Sequence, residues 1–329
     1  MGVTGEGETN TLDDRGRNQL AKLREYDFPN TAIERYLLHE DIEISEETDD
    51  FLQDLVDQLD EPQINNLIDE YKYAGRQTIN YFVMKGISDY SFEQIRSSSE
   101  TEFDSVDEAG LKTPYIVDTE EMFDNLYVCF AFKTSTGSQN PVTGEYESQQ
   151  DTNYGTHVLN SDSDLVEVRC SNESMAFTVC RTIANSVGIE NDDAIYRPEF
   201  GTDFQREFGE ELVDKYYNLK VRADDEEGST VDTIQFTSKT DEDGERRDAR
   251  DDDRVSAELE ERGGEITMGY VELDDDTKFH MNRGESKLSF RKYEMESQLQ
   301  NVTEVIRDVL RETGEHSSRE VRGLGNVPE

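Results

Sequence analysis

Leu126-Tyr127-Val128-Cys129-Phe130-Ala131-Phe132 is the longest apolar run in the chain. A strand buried on one face alternates apolar and polar residues, whereas a strand covered on both faces reads as an unbroken apolar run. The run therefore predicts a central strand of a β-sheet with covering layers on both sides. It is far short of the roughly 20 residues that cross a bilayer, so no membrane association is expected.

Downstream, residues 133–164 are polar, with Gly137, Pro141, Gly144 and Gly155, and read as a long loop or a polar hairpin. Leu165 to Cys170 reads as a strand, Ser174 to Val187 as a helix ended by Gly188, Glu210 to Leu219 as a further helix, and Val231 to Thr237 as a strand. Thr240 to Arg254 mixes charges as a solvated loop does. Ile266 to Leu273, Lys278 to Asn282 and Lys287 to Tyr293 read as consecutive strands, with turns at Asp274-Asp275-Asp276 and Arg283-Gly284. Met295, Leu299, Val302, Ile306 and Val309 recur at helical spacing and form one apolar stripe. That stripe is expected to cover the sheet, the alternative being a homo-oligomer paired through the 295–310 helix.

Upstream, the pattern is helical from Arg15 to about Arg96. Phe51, Leu52, Leu55, Val56 and Leu59 form one stripe. Asp60-Glu61-Pro62 is a stop and restart, because proline is tolerated in a first helical turn. Ile64, Leu67, Ile68 and Tyr71 form a second stripe, which Ile79, Phe82 and Val83 continue. Ser97 to Lys112 is acidic and serine-rich, as linkers are. The expected fold is α+β. A flexible N-terminus (1–14) precedes an all-α helical bundle (15–96), a linker (97–113), an α+β domain with a mainly antiparallel sheet and a C-terminal covering helix (114–313), and a flexible tail (314–329).

The 329 residues carry 33 basic and 77 acidic side chains, a formal charge of −44, and only 33% are hydrophobic. Such a composition suggests disorder, but 15 Tyr and 15 Phe together with the periodic segments indicate a folded chain. Arginine outnumbers lysine 22 to 11, and in this the composition resembles that of cytoplasmic proteins from salt-accumulating organisms. At about 1 M salt the screening length falls to about 3 Å, and self-repulsion of an acidic coat largely vanishes. Cys129, Cys170 and Cys180 are an odd set without metal or CxxC spacing. They read as reduced thiols of a cytoplasmic protein. Residues 1–10 lack the basic start and apolar core of a signal peptide.

Motifs for catalysis are missing. His39, His157, His280 and His316 lack metal-ligand spacing, and neither a Walker-type phosphate loop nor a GxSxG elbow occurs. No catalytic residue, metal ligand or cofactor is assigned. One arrangement faintly resembles a metal-dependent nuclease: Asp164 with Glu167-Val168-Arg169 on a strand. An arginine cannot serve there as a base, and alternation explains Glu167 and Arg169 as a solvent face.

The cationic signal is stronger. Between Thr277 and Lys292, the residues Lys278, Arg283, Lys287, Arg291 and Lys292 face Glu285 alone, a local +4 in a chain of −44. Alternation sends Phe279, Met281, Leu288 and Phe290 to one side, and Lys278, His280, Asn282, Lys287, Ser289 and Arg291 to the other. A two-stranded ribbon with such a face can follow a nucleic-acid backbone or enter a major groove. Ion pairing to Glu272 and Asp274 to Asp276 explains the same residues as sheet structure. A second patch interleaves Tyr71, Lys72, Tyr73, Arg76, Tyr81, Phe82 and Lys85 on one helix. The nucleic-acid-binding residues expected from the sequence are thus Lys278, His280, Asn282, Arg283, Lys287, Arg291 and Lys292, with Lys72, Arg76 and Lys85. The expected function is a non-catalytic, nucleic-acid-associated regulatory or architectural protein adapted to high salt. The alternatives are a protein-interaction or assembly component and a metal-dependent nuclease.

Overall fold

The computed structural model describes residues 14–45, 49–74, 77–103, 110–139, 146–222, 233–240, 246–261 and 263–314. It is a mixed α+β structure that separates into two compact units. One holds the described residues of Met1–Gly75 and Tyr293–Leu299, the other those of Arg76–Lys292 and Gln300–Glu329.

The first unit contains α1 (Asp14–Tyr26), α2 (Asn30–His39), α3 (Phe51–Gln58) and α4 (Glu61–Lys72). The chain breaks where side chains satisfy helix ends. Asp50 caps α3 by accepting from the Gln53 amide, and Asp60 and Gln63 exchange bonds across the start of α4 with Pro62 in its first turn. Leu23, Ile33, Tyr36, Leu55, Ile64 and Leu67 share one buried cluster with Met295. Beside it the Glu294 carboxylate, fully buried, accepts from Arg35.

The second unit is built on one sheet. Its elements in chain order are β1 (Thr78–Met84), α5 (Phe92–Glu102), β2 (Tyr115–Met122), β3 (Asn125–Gln139), β4 (Tyr146–Asn160), β5 (Leu165–Arg169), α6 (Glu173–Ser186), β6 (Ile195–Tyr196), α7 (Thr202–Glu211), β7 (Val213–Arg222), β8 (Thr233–Thr237), α8 (Asp253–Ser256), β9 (Glu265–Leu273), β10 (Lys278–Asn282), β11 (Lys287–Phe290) and, from Gln300 onward, α9 (Glu296–Thr313). The strand order is β2-β3-β4-β5-β1-β11-β10-β9-β7-β8, with β6 beside β1. Every pairing between these strands is antiparallel.

Several segments differ from the sequence reading. Ile79, Phe82 and Val83 lie on strand β1, not on a helix. Six of its seven residues are buried, so both faces are apolar and the alternation that marks a strand is lost. Residues 97–102 belong to helix α5 rather than to a linker. Ser91 and Gln94 cap it reciprocally, Ile95 enters the core, and Ser99 is fully buried with its hydroxyl 3.5 Å from that of Ser186. Small serines suit this close approach to α6; residues 104–109 lie outside the described residues. The stretch 133–164 is not an open loop: β3 and β4 pair from Asn125↔Asn160 to Gln139↔Tyr146, and residues 140–145 lie outside the described residues.

Residues 210–219 are only briefly helical. α7 ends at Glu211 and β7 takes over, with register shifts against β9 between Val213 and Lys215 and between Tyr216 and Asn218. Those bulges place the buried residues Val213, Tyr216 and Leu219 three apart, which imitates helical spacing. Of the expected mixed-charge loop, Asp253–Ser256 forms α8, and Ala249 and Val255 are buried. The expected flexible ends, 1–14 and 314–329, lie outside the described residues except for Asp14 and Gly314.

On one side of the sheet, α6 packs Met175, Ala176, Val179, Cys180 and Ile183 against Phe82, Val128, Phe130, Val166 and Val168. On the other, the part of α9 that belongs to this unit reaches Tyr81, which shares a 3.0 Å bond with Thr303, and Tyr127, whose hydroxyl accepts from Gln300 at 2.7 Å. Val302, Ile306 and Val309 of the α9 stripe are fully buried, and so are Met295 and Leu299. The apolar seam that would pair two copies through the 295–310 helix is therefore not exposed. Farther along the same side lie Phe204 and Phe208 of α7, with Phe208 edge-on to Phe279 at 6.4 Å.

With both faces covered, β5 is buried at all five positions. Glu167 and Arg169 are then not a solvent face, as alternation suggested. They form an internal ion pair, with Arg169 Nε 3.1 Å and Arg169 NH2 3.0 Å from Glu167 Oε2, and the guanidinium lies 5.8 Å from the Tyr127 ring. Removing one partner of a buried pair leaves a desolvated charge, at a cost of about 3–5 kcal/mol. Glu167→Leu is expected to lower stability by that amount in urea titration, and adding Arg169→Met to it should restore most of the loss.

Candidate nucleic-acid interface

The ribbon β10–β11 is internal to the sheet: β10 also pairs with β9, and β11 also pairs with β1. Both of its outer edges are bonded to neighbours, so it cannot enter a major groove as a free two-stranded ribbon. Its polar side is instead part of a broader face. Phe279, Met281, Leu288 and Phe290 are buried, while Lys278, His280, Asn282, Lys287 and Ser289 are half-buried on the opposite side. The register extends this side across the sheet, with Lys278 opposite Glu272 and then Lys215, and His280 opposite Tyr270 and then Asn218. No described helix covers these strands on that side.

Three of the expected cations meet carboxylates. Cross-strand pairing puts Lys278 on Glu272, Lys287 pairs with Glu285, and Arg283 NH1 lies 2.6 Å from Glu265. Burial pushes the Glu272 carboxyl up, but the Lys278 ammonium and the Tyr217 hydroxyl outweigh it and hold Glu272 below its ordinary value. Two of these carboxylates, Glu265 and Glu272, come from the neighbouring strand β9 and halve the local +4, which already counts Glu285. Arg291 and Lys292, just past β11, are exposed and have no carboxylate partner among the described residues. The Arg291 guanidinium lies 4.6 Å from the centre of the Tyr270 ring, and that ring is 4.9 Å from His280. Burial lowers the His280 pKa, and Lys220 and Lys287 lower it further, so the ring is neutral near pH 7. Asn282 lies between Met268 and Lys287.

Residues from other segments complete the site. A groove of about 710 Å³ runs beside Arg291 and Lys292 and is lined also by Lys215, Tyr217 and Asn218 of β7, by Tyr270 of β9, and by Arg246. Five cations (Lys215, Arg246, Lys278, Arg291 and Lys292) border it against Glu272 and Asp276, a formal +3. Lys278 Nζ and the Arg246 guanidinium lie 5.5 and 5.7 Å from the centre of the Tyr217 ring. Sequence reasoning missed Lys215, Tyr217 and Arg246. The bulges of β7 hide its strand pattern, and Arg246 lies in a mixed-charge run with no local sign of where it folds.

The patch expected around Tyr71 does not form one helix face. α4 ends at Lys72, which is 4.8 Å from the Tyr73 ring, while Lys85 follows β1 in the other unit, 4.9 Å from Tyr196. Tyr71, Tyr73, Tyr81 and Phe82 are buried and closed to stacking, and Arg76 lies outside the described residues.

The arrangement resembling a nuclease is spent on structure. Asp164 accepts from the amides of Gly86 and Ser88 at 3.0 and 3.2 Å and from the Ser88 hydroxyl at 2.7 Å, while Glu167 is bound to Arg169. No group of three or more potential metal-ligating side chains occurs among the described residues. His157 and Cys180 do meet, with Nε2 3.5 Å from Sγ, but both are fully buried. Burial pushes the imidazole down to about 3 and the thiol well up, the reverse of an activated thiolate pair. No helix among the described residues is long and apolar enough to cross a membrane. In comparison with known proteins, no family model and no curated protein matches the chain.

His157 sets a pH dependence. Its folded pKa of about 3 lies below the ordinary value of 6.5, so between these values the unfolded chain takes up a proton that the folded one refuses. The contribution is intact above about pH 6.5 and is lost as pH falls toward 3, at up to about 1.4 kcal/mol per pH unit. Urea midpoints of the wild type and His157→Gln, measured at successive pH values, should show a flatter acid limb for the variant.

Proposed function

We propose that the chain is a non-catalytic nucleic-acid-associated protein of regulatory or architectural role, adapted to high salt, and that it contacts its partner through the groove between β7, β9 and β10. The reading is carried by one observation: cations outnumber carboxylates five to two around this groove in a chain of net charge −44. A surface set by composition alone would be acidic there. Of the two acids, Glu272 is engaged by Lys278 and by the Tyr217 hydroxyl. Phosphates suit the exposed Arg291 and Lys292, and Tyr217, Tyr270 and His280 supply rings beside them.

Salt decides how such a site works. Binding that rests on phosphate neutralisation loses about 0.7–0.9 in log K per log unit of salt for each phosphate contacted. At about 1 M salt the long-range field is screened within about 3 Å. Short-range contacts (hydrogen bonds, ring stacking and direct ion pairs) then supply the affinity, and the same screening removes repulsion between the acidic coat and a polyanion.

The test separates exposed from neutralised cations. Arg291→Ser combined with Lys292→Ser is expected to weaken nucleic-acid binding and to reduce its salt slope by about 0.7–0.9 for each cation removed. Lys287→Ser, whose charge is already met by Glu285, should change both far less. Titration by fluorescence anisotropy over a salt series reads affinity and slope together. Equal binding by all three proteins with folding intact sinks the proposal.

A further inference from the structure

We infer that the nucleic acid held on this face is single-stranded. The inference rests on the nucleic-acid reading above and adds the class of strand. Three observations point to it. The first is width. The polar side of β8-β7-β9-β10-β11 spans five strands. At about 4.8 Å between strands it is about 19 Å across, whereas a B-DNA major groove is about 12 Å wide and takes a helix or a two-stranded ribbon. Because β10 and β11 are bonded on both outer edges, no ribbon can separate from the sheet to fit.

The second is the chemistry of the face. The exposed Arg291 guanidinium lies over the half-buried Tyr270 ring, with His280 beside that ring, and Lys278 and Arg246 lie near the Tyr217 ring. The Arg291 guanidinium, backed by the Tyr270 ring, offers a planar surface to an unstacked base, and the cations beside it meet the phosphates on either side of that base. A duplex keeps its bases stacked on each other and shows only edges and backbone, so these rings would gain nothing from it. The third is the neutral His280. It contributes a flat ring and a hydrogen-bonding nitrogen without adding charge, which suits recognition of a base better than of a phosphate.

The experiment titrates the full chain at about 1 M salt, where general phosphate attraction is weak, into labelled single-stranded DNA, single-stranded RNA and a duplex of the same sequence. At least one single strand is expected to bind about tenfold or more tightly than the duplex. Tyr270→Ala and Arg291→Ala should each weaken that binding about tenfold, the size of one lost base stack. Urea midpoints check that Tyr270→Ala is folded, and exposed Arg291 gives a variant with little structural risk. A duplex that binds as well as or better than both single strands overturns this inference and leaves the nucleic-acid reading standing. No binding to any of the three overturns both. Single-strand binding untouched by either substitution also overturns the inference, because the rings then take no part.

Discussion

The pairing of β1 with β11 holds the sheet together. Thr78, Ile79 and Asn80 lie opposite Ser289, Leu288 and Lys287, and the Phe290 amide donates to the Gln77 carbonyl at 2.8 Å. Without this ladder the strands would divide into a β2-to-β1 half and a β11-to-β8 half, each with an open edge ready for unintended pairing. The two halves come from distant parts of the chain, so the link is a long-range contact whose loop entropy must be met by burial. Burial is available because Ile79 and Leu288 are fully buried on the side where Tyr81 lies beneath Thr303.

The two sides of this sheet are not equivalent, and the difference defines the candidate site. α9 and α7 cover one side along both halves, while α5 and α6 cover the other side of the first half alone. Where both sides are covered, polar residues must find partners inside, and Glu167–Arg169 and Asn80, whose amide donates to the Val168 and Cys170 carbonyls at 3.2 and 2.8 Å, do so. Where one side is left open, the same alternation presents Lys, Tyr, His and Asn to the surface. A single backbone pattern thus makes a sealed core at one end and a polar, ring-bearing face at the other.

Charge is distributed accordingly. A carboxylate directly across a strand from a lysine is an ordinary sheet-stabilising pair, and Glu272 opposite Lys278 is one such pair. Pairs of this kind add little net charge to the face. Positive character arises where a strand ends, at Arg291 and Lys292, and where Arg246 is brought in from a loop. Arg291 and Lys292 lie past the end of β11, where no register sets a residue across from them, and Arg246 lies across an isolated bridge from the uncharged Thr240.

The sequence by itself determined the α+β class, a strand at Leu126–Phe132 buried on both faces though second from the sheet edge, the inward set Phe279, Met281, Leu288 and Phe290, and the apolar stripe of the last helix. All of these are periodicities carried by neighbouring residues, and local backbone geometry turns them directly into faces. Tertiary structure alone decided the rest. β1 was illegible because a strand buried on both faces has no alternation, β7 because its bulges mimic helical spacing, and α5 because its serine run, of which Ser99 is buried, resembles a linker. The groove was illegible for a different reason. Lys215 and Tyr217 of β7, Arg246 and Arg291 come from three separate segments, and only the tertiary fold makes them neighbours. The fate of each cation was likewise settled by register, since a lysine's charge counts at the surface only if pairing puts no carboxylate across from it.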